Sequence, residues 1–230
     1  MMSAEKNQKI NEALNRLYAE KTEAFLNEWK KHYGSDAVPN RINEFGIVDE
    51  EKYDAENGIL FIAKETNGWD FSEGVTFLTW LKDIAINKDF PLDGIARKHP
   101  QTWYNIARWT KLIQNPETDP NELICLKKDA LPALRSIAFT NISKVGGGST
   151  SKDAFWSLVE SMREEDSVVF EILKKEIEII VPKYIVLCGI QKDVLYCIEH
   201  SAKVIEMPHP SARTISKEAM LSMLRSQLKV

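Results

Sequence analysis

Four short apolar runs punctuate the chain: "GILFIA" (58–63), "SIAFTNISK" (136–144), "PKYIVLCG" (182–189) and "AKVIEM" (202–207). Continuous apolar runs of this length, bounded by polar and turn-forming residues, read as strands covered on both faces. Between them, apolar residues recur at helical spacing. Over 6–33 the stripe is Ile10, Ala13, Leu14, Leu17, Tyr18, Ala24, Phe25 and Trp29, with a skipped turn at Lys21 and Gly34 placed to end the helix. Further helices are expected over 73–86, over 100–113 with Pro100 in its first turn, and over 121–134 with a break near Pro132. The remaining ones fall at 152–163, 166–180, 190–200 and 216–228, the last capped by Ser216. "VGGGSTS" (145–151) reads as a loop.

Strands that alternate with helices predict an α/β fold: a three-layer α/β/α sandwich around a four-stranded parallel sheet. No repeat, low-complexity tract or linker divides the chain, so residues 1–230 are expected to form one domain, with a helical extension at about 1–45. That extension is expected to pack against the domain, partner binding being the alternative.

Composition narrows the function. Hydrophobic residues make up 43% of the 230 and charged residues 28%, enough apolar side chains for a sizeable core. The apolar runs are too short to span a bilayer, and "MMSAEKNQKINEALNRL" carries no apolar h-region, so a cytoplasmic, monomeric protein is expected, without a membrane contact. Cys125, Cys188 and Cys197 have no C-x-x-C spacing, which argues against a disulfide framework and a cysteine-bound metal, and Cys188 reads as a core residue. His32, His99 and His200 have no ligand-like spacing. The net charge of −4 means that any nucleic-acid contact must come from a local basic cluster.

In open parallel sheets, chemistry collects at the carboxyl ends of the strands. Here those ends read "AKETNGWDF" (63–71), "TNISKVGGGS" (140–149), "CGIQ" (188–191) and "MPHPSAR" (207–213). Three carry groups suited to chemistry: Glu65 and Asn67, Asn141 and Lys144, His209 and Ser211. Pro208 and Pro210 restrict the backbone on either side of His209, which suits a group that must point at something.

These segments resemble, in order and spacing, the uracil-DNA glycosylase superfamily. "HPS" (209–211) after a strand and before the last helix is the strongest match, then "FTNISK" (139–144), then "YIVLCGIQKDVL" (184–195). "IAKETNGW" (62–69) stands where the family has its first motif. The likeness covers roughly 58–215 and leaves out the cluster-binding cysteines of the iron–sulfur branch.

The resemblance implies a DNA glycosylase that hydrolyses the N-glycosidic bond of uracil or a related base, with no metal or organic cofactor. Asn141 would read the base by accepting from N3–H and donating to O4. His209 would donate a hydrogen bond to O2 of the leaving base, and Glu65 would position water. Trp69 or Phe71 would stack on the flipped base, core packing being the alternative for both. Lys144, Ser211 and Arg213 would contact DNA, with Arg213 or Ile215 as a wedge in the minor groove. The backbone of the "VGGGSTS" loop would hold a phosphate or act only as a flexible connection.

Two other readings stay open. The altered first motif and the acidic charge fit a non-catalytic nucleic-acid-binding or sensing module on the same fold. Glu65 and His209 as an acid–base pair fit a small-molecule or nucleotide hydrolase.

Overall fold

The computed structural model describes residues 2–33, 42–64, 66–67, 75–86, 100–119, 123, 127–147 and 167–229. The apolar runs become β2 (Ile59–Ala63), β4 (Ala138–Asn141), β6 (Tyr184–Cys188) and β7 (Lys203–Met207). Side by side in the order β4-β2-β6-β7, they are all parallel, with Ala63 opposite Asn141 and Cys188 opposite Met207. Their carboxyl ends therefore share one edge.

The sheet has a fifth strand that the pattern does not announce. β1 (Gly46–Ile47) runs antiparallel along β4, so the fold is α/β around a mixed five-stranded sheet rather than a four-stranded parallel one. A two-residue strand containing glycine leaves no apolar run to read. Its outer edge is occupied by α1 (Met2–Tyr33): Asn11 Nδ2 donates to Ile47 O (2.9 Å) and Asn11 Oδ1 accepts from Ile47 N (2.9 Å). One side-chain amide thus satisfies the exposed backbone of the edge strand. Gly46, at φ +151°, permits this close approach, because a Cβ there would lie 2.5 Å from Asn11 Oδ1.

α1 is therefore part of the fold and no appendage. Leu14, Tyr18 and Phe25 are buried in the core, and Asn7 Nδ2 donates to Glu50 O (2.8 Å) and Tyr53 O (2.9 Å).

Helices flank β4 on its two faces, as its alternation requires. Thr140 meets Glu176 of α5 (Val168–Ile180), which packs along α1. Phe139, on the other face, packs against Phe77 of α2 (Phe77–Ile86) and Trp103 of α3 (Pro100–Gln114) at ring-centroid distances of 5.5 and 5.6 Å. α4 (Lys127–Arg135) continues through Pro132, where a break is expected, because Ala130, Ala133 and Leu134 bury against the core. α6 (Lys217–Leu228) starts as expected, with Ser216 Oγ accepting from Ala219 N at 3.1 Å.

Two expectations change. The helix expected over 190–200 is only a 3₁₀ turn, Lys192–Leu195. Ile190, Val194, Leu195 and Ile198 are buried and create the helical spacing, but Tyr196 beside them is 89% exposed. Lys192 N is drawn instead to Glu206 Oε1 on β7 (2.8 Å). The loop expected over 145–151 begins with β5 (Gly146–Gly147), which pairs in parallel with β3 (Thr66–Asn67). The helix expected over 152–163 lies outside the described residues. Among the described residues, no helix is long and apolar enough to cross a membrane.

Candidate functional site

The carboxyl edge of the sheet is organised in two halves, one around Asn141 and one around His209. β2 and β6 lie between the two strands that carry them, and neighbouring strands are roughly 4.8 Å apart, so about 14 Å separates the axes of β4 and β7. Part of that span is closed by the loop after β7. His209 leans back over the end of β6, where a Cβ on Gly189 would meet His209 Cβ at 3.1 Å and His209 N at 3.2 Å. Gly189 itself sits at φ +70°, and its N–H donates to Met207 O at 2.7 Å.

His209 is exposed, and the Nδ1 edge of its imidazole is held by Ser211. Its Nδ1 accepts from the backbone N–H of Ser211 (3.2 Å) and lies 2.7 Å from Ser211 Oγ. A backbone N–H can only donate, so Nδ1 is the acceptor and the neutral ring carries its proton on Nε2. Ala212 N closes the turn onto His209 O (2.8 Å). The turn is fastened to α3: Asn105, itself buried, donates from Nδ2 to Pro210 O (2.7 Å), and Gln101 Nε2 reaches Ala212 O (3.4 Å). The same helix packs Trp103 on Phe139, two residues before Asn141. One helix thus touches both halves of the edge.

Asn141 ends β4 and is 2% exposed. Both polar groups of the peptide that follows it are held. Ile142 N donates to Ala63 O (2.9 Å), and Asn141 O accepts from Lys144 Nζ (2.5 Å). Ser143 N then donates to Lys64 O (2.9 Å), and the β3–β5 pair carries the contact between these two segments outward.

Lys144, expected on DNA, is instead turned into the protein. Its ammonium is fully buried and bonds Glu176 Oε1 (2.6 Å), Thr140 Oγ1 (2.8 Å) and the Asn141 carbonyl. Tyr18 donates its hydroxyl to the same Glu176 carboxylate, and the Phe45 ring lies 5.0 Å from Nζ. Burial pulls the Lys144 ammonium below the ordinary lysine value, with the Glu176 charge opposing it. Burial and then the Glu176 charge hold the Tyr18 phenol well above its ordinary range. A cation enclosed in this way makes no phosphate contact.

The other expected residues fall as follows. The Ser211 hydroxyl is turned to the imidazole rather than held out toward a phosphate, and Arg213 is exposed. Glu65, Trp69 and Phe71 lie outside the described residues. Among the described residues, no cluster of three or more His, Cys, Asp or Glu side chains could hold a metal. Cys188 is buried, as its apolar strand leads one to expect.

Sequence reasoning missed Glu176, Asn105 and Asn43. Glu176 had a readable signal: it occupies a stripe position of α5 otherwise filled by Val169, Ile172, Leu173, Ile177 and Ile180. A carboxylate on a buried stripe calls for a buried cation. Asn43 is fully buried beside the Lys144 turn, with its N–H on Lys144 O (2.6 Å), and neither of its side-chain amide atoms has a hydrogen-bond partner.

No protein-family model matches the chain, and comparison with curated proteins and with solved structures returns no match.

Proposed function

We propose that the chain is a uracil-DNA glycosylase-like enzyme on a three-layer α/β/α fold, acting in the cytoplasm as a monomer. It hydrolyses the N-glycosidic bond of uracil or a related base in DNA. The observation that carries this reading is the common edge of Asn141 and His209, with His209 held so that Nε2–H is the ring's donor.

Water adds to C1′ of the sugar as the C1′–N bond breaks, and the base departs with the bonding electron pair. Negative charge then grows on the base and positive charge on the sugar. Nε2–H of His209 donates to O2 of the departing base, where that charge develops, so it stabilises the transition state more than the ground state. The carboxamide of Asn141 accepts from N3–H and donates to O4. Cytosine presents the opposite pattern at those positions and would leave buried polar groups mispaired. In this reading Glu65 orients the water.

The test is abasic-site formation on a single-stranded oligonucleotide containing one uracil, read on a gel after alkaline cleavage. The parent chain is expected to release uracil. His209→Ala and Asn141→Ala are each expected to slow release by about 10²–10³-fold, the usual effect of losing one transition-state donor. Absence of abasic sites with the parent chain overturns the reading, and DNA binding retained without turnover points to the non-catalytic module.

A further inference from the structure

We propose that the buried Lys144–Glu176 pair is a positioning device that fixes the place of the Asn141 backbone, and with it the place of the base-reading amide. This inference rests on the glycosylase reading and names the residues that would give it selectivity.

The geometry is a clamp on one peptide unit. The peptide between Asn141 and Ile142 has its N–H on Ala63 O of β2 and its C=O on Lys144 Nζ. With both ends held, that peptide plane cannot rotate, and the ψ angle of Asn141 is fixed. Since the side chain leaves from the adjoining Cα, the same two bonds fix where the Cα–Cβ bond points and so where the amide stands. Lys144 holds its end because Glu176 and Thr140 leave its ammonium no other direction. Glu176 is in turn held by Tyr18 of α1 and by Thr140 of β4. The anchoring residues Tyr18, Thr140 and Glu176 belong to α1, β4 and α5, and all three side chains are enclosed in the core.

An apolar pair of similar volume would fill the same space, but it would leave the Tyr18 and Thr140 hydroxyls and the Asn141 carbonyl without these partners. What such a pair could not do is hold the Asn141 carbonyl. Selectivity for uracil over cytosine requires an amide that stands within reach of both N3–H and O4, and a shift of the backbone under it weakens both contacts. Lys144 and Glu176 are positioning residues in this scheme: they act through Asn141 and leave the bond-breaking to other groups.

The test uses the full chain with two double variants. Lys144→Met/Glu176→Leu removes both charges. Lys144→Met/Glu176→Gln also removes the clamp but keeps a neutral partner for Tyr18 and Thr140. Thermal unfolding confirms that each is folded, and release of base is then measured well below the midpoint on oligonucleotides carrying uracil or cytosine. The expected result is a roughly ten- to hundredfold fall in kcat/KM for uracil, the scale on which small misplacements act, together with a reduced uracil-to-cytosine ratio.

A pair that only stabilises the fold would shift the midpoint and leave that ratio unchanged, which overturns the inference while the glycosylase reading stands. A parent chain that releases no base overturns both. Hydrogen exchange in the parent gives a check that needs no variant. The Ile142 amide is expected to exchange as slowly as those of β2, and exchange at the rate of an open loop overturns the clamp even if neither variant folds.

Discussion

Asn43 and Lys144 sit against each other and pose opposite problems. Lys144 is a buried charge whose bonding needs are met by a carboxylate, a hydroxyl and a carbonyl. Asn43 is a buried amide with neither atom met. A donor or acceptor left unmet in the interior costs about 1–3 kcal/mol, whereas an apolar group of the same shape carries no such cost. Asn43→Leu is therefore expected to raise stability by on the order of 1 kcal/mol, seen as a higher urea midpoint with an unchanged slope. A fall of that size would show that the amide finds a partner in solution. Neither residue is legible as buried from the sequence, because a Lys after a strand and an Asn before one both read as surface positions. Their burial depends on contacts distant in the chain: Glu176 lies 32 residues beyond Lys144, and Asn43 bonds a turn formed about a hundred residues later.

Among the elements, the connection from β6 sets the position of the His209 loop. At φ +70° Gly189 has a backbone that a side chain strains, and a Cβ there would press on His209 Cβ, N and Cα at 3.1–3.3 Å. Gly189→Ala is expected to push the loop off the end of β6. In the glycosylase reading it slows base release by roughly tenfold or more, with a smaller loss of stability than a core truncation of about 3 kcal/mol. Equal turnover in parent and variant, measured on the uracil oligonucleotide, would mean that the loop's seat on β6 does not govern the imidazole.

β2, β4 and β6 were legible because each is buried on both faces and so carries an apolar run, as in Ile59–Ala63 and Tyr184–Cys188, whereas in β7 part-exposed Val204 and Glu206 alternate with buried Ile205 and Met207. β1 was not legible, since its place is determined by Asn11 across the edge and by the close approach that Gly46 allows, rather than by an apolar run of its own. The segment after β6 misled for the opposite reason. Four buried residues, Ile190, Val194, Leu195 and Ile198, mimic a helical stripe, although the backbone turns to satisfy Glu206 instead.

For the whole molecule, charge limits how DNA would be held in the glycosylase reading. Acidic residues outnumber basic ones, 34 to 30, and Lys144, one of the two cations expected to contact DNA, is enclosed in the core. Arg213, the other, is exposed on the loop that carries His209. Affinity for a single strand falls with salt by about 0.7 log units per decade for each phosphate neutralised. A protein that relies on one or two such contacts should show a shallow dependence, with a log–log slope no steeper than about −2. Arg213→Ala should reduce that slope by roughly 0.7 while leaving the uracil-to-cytosine ratio intact, because a phosphate contact positions the strand without reading the base. Fluorescence anisotropy of a labelled uracil oligonucleotide between low and physiological salt measures both values. A slope steeper than about −4 would instead require an extended basic surface, and in the glycosylase reading recognition would then begin with the backbone rather than with the base.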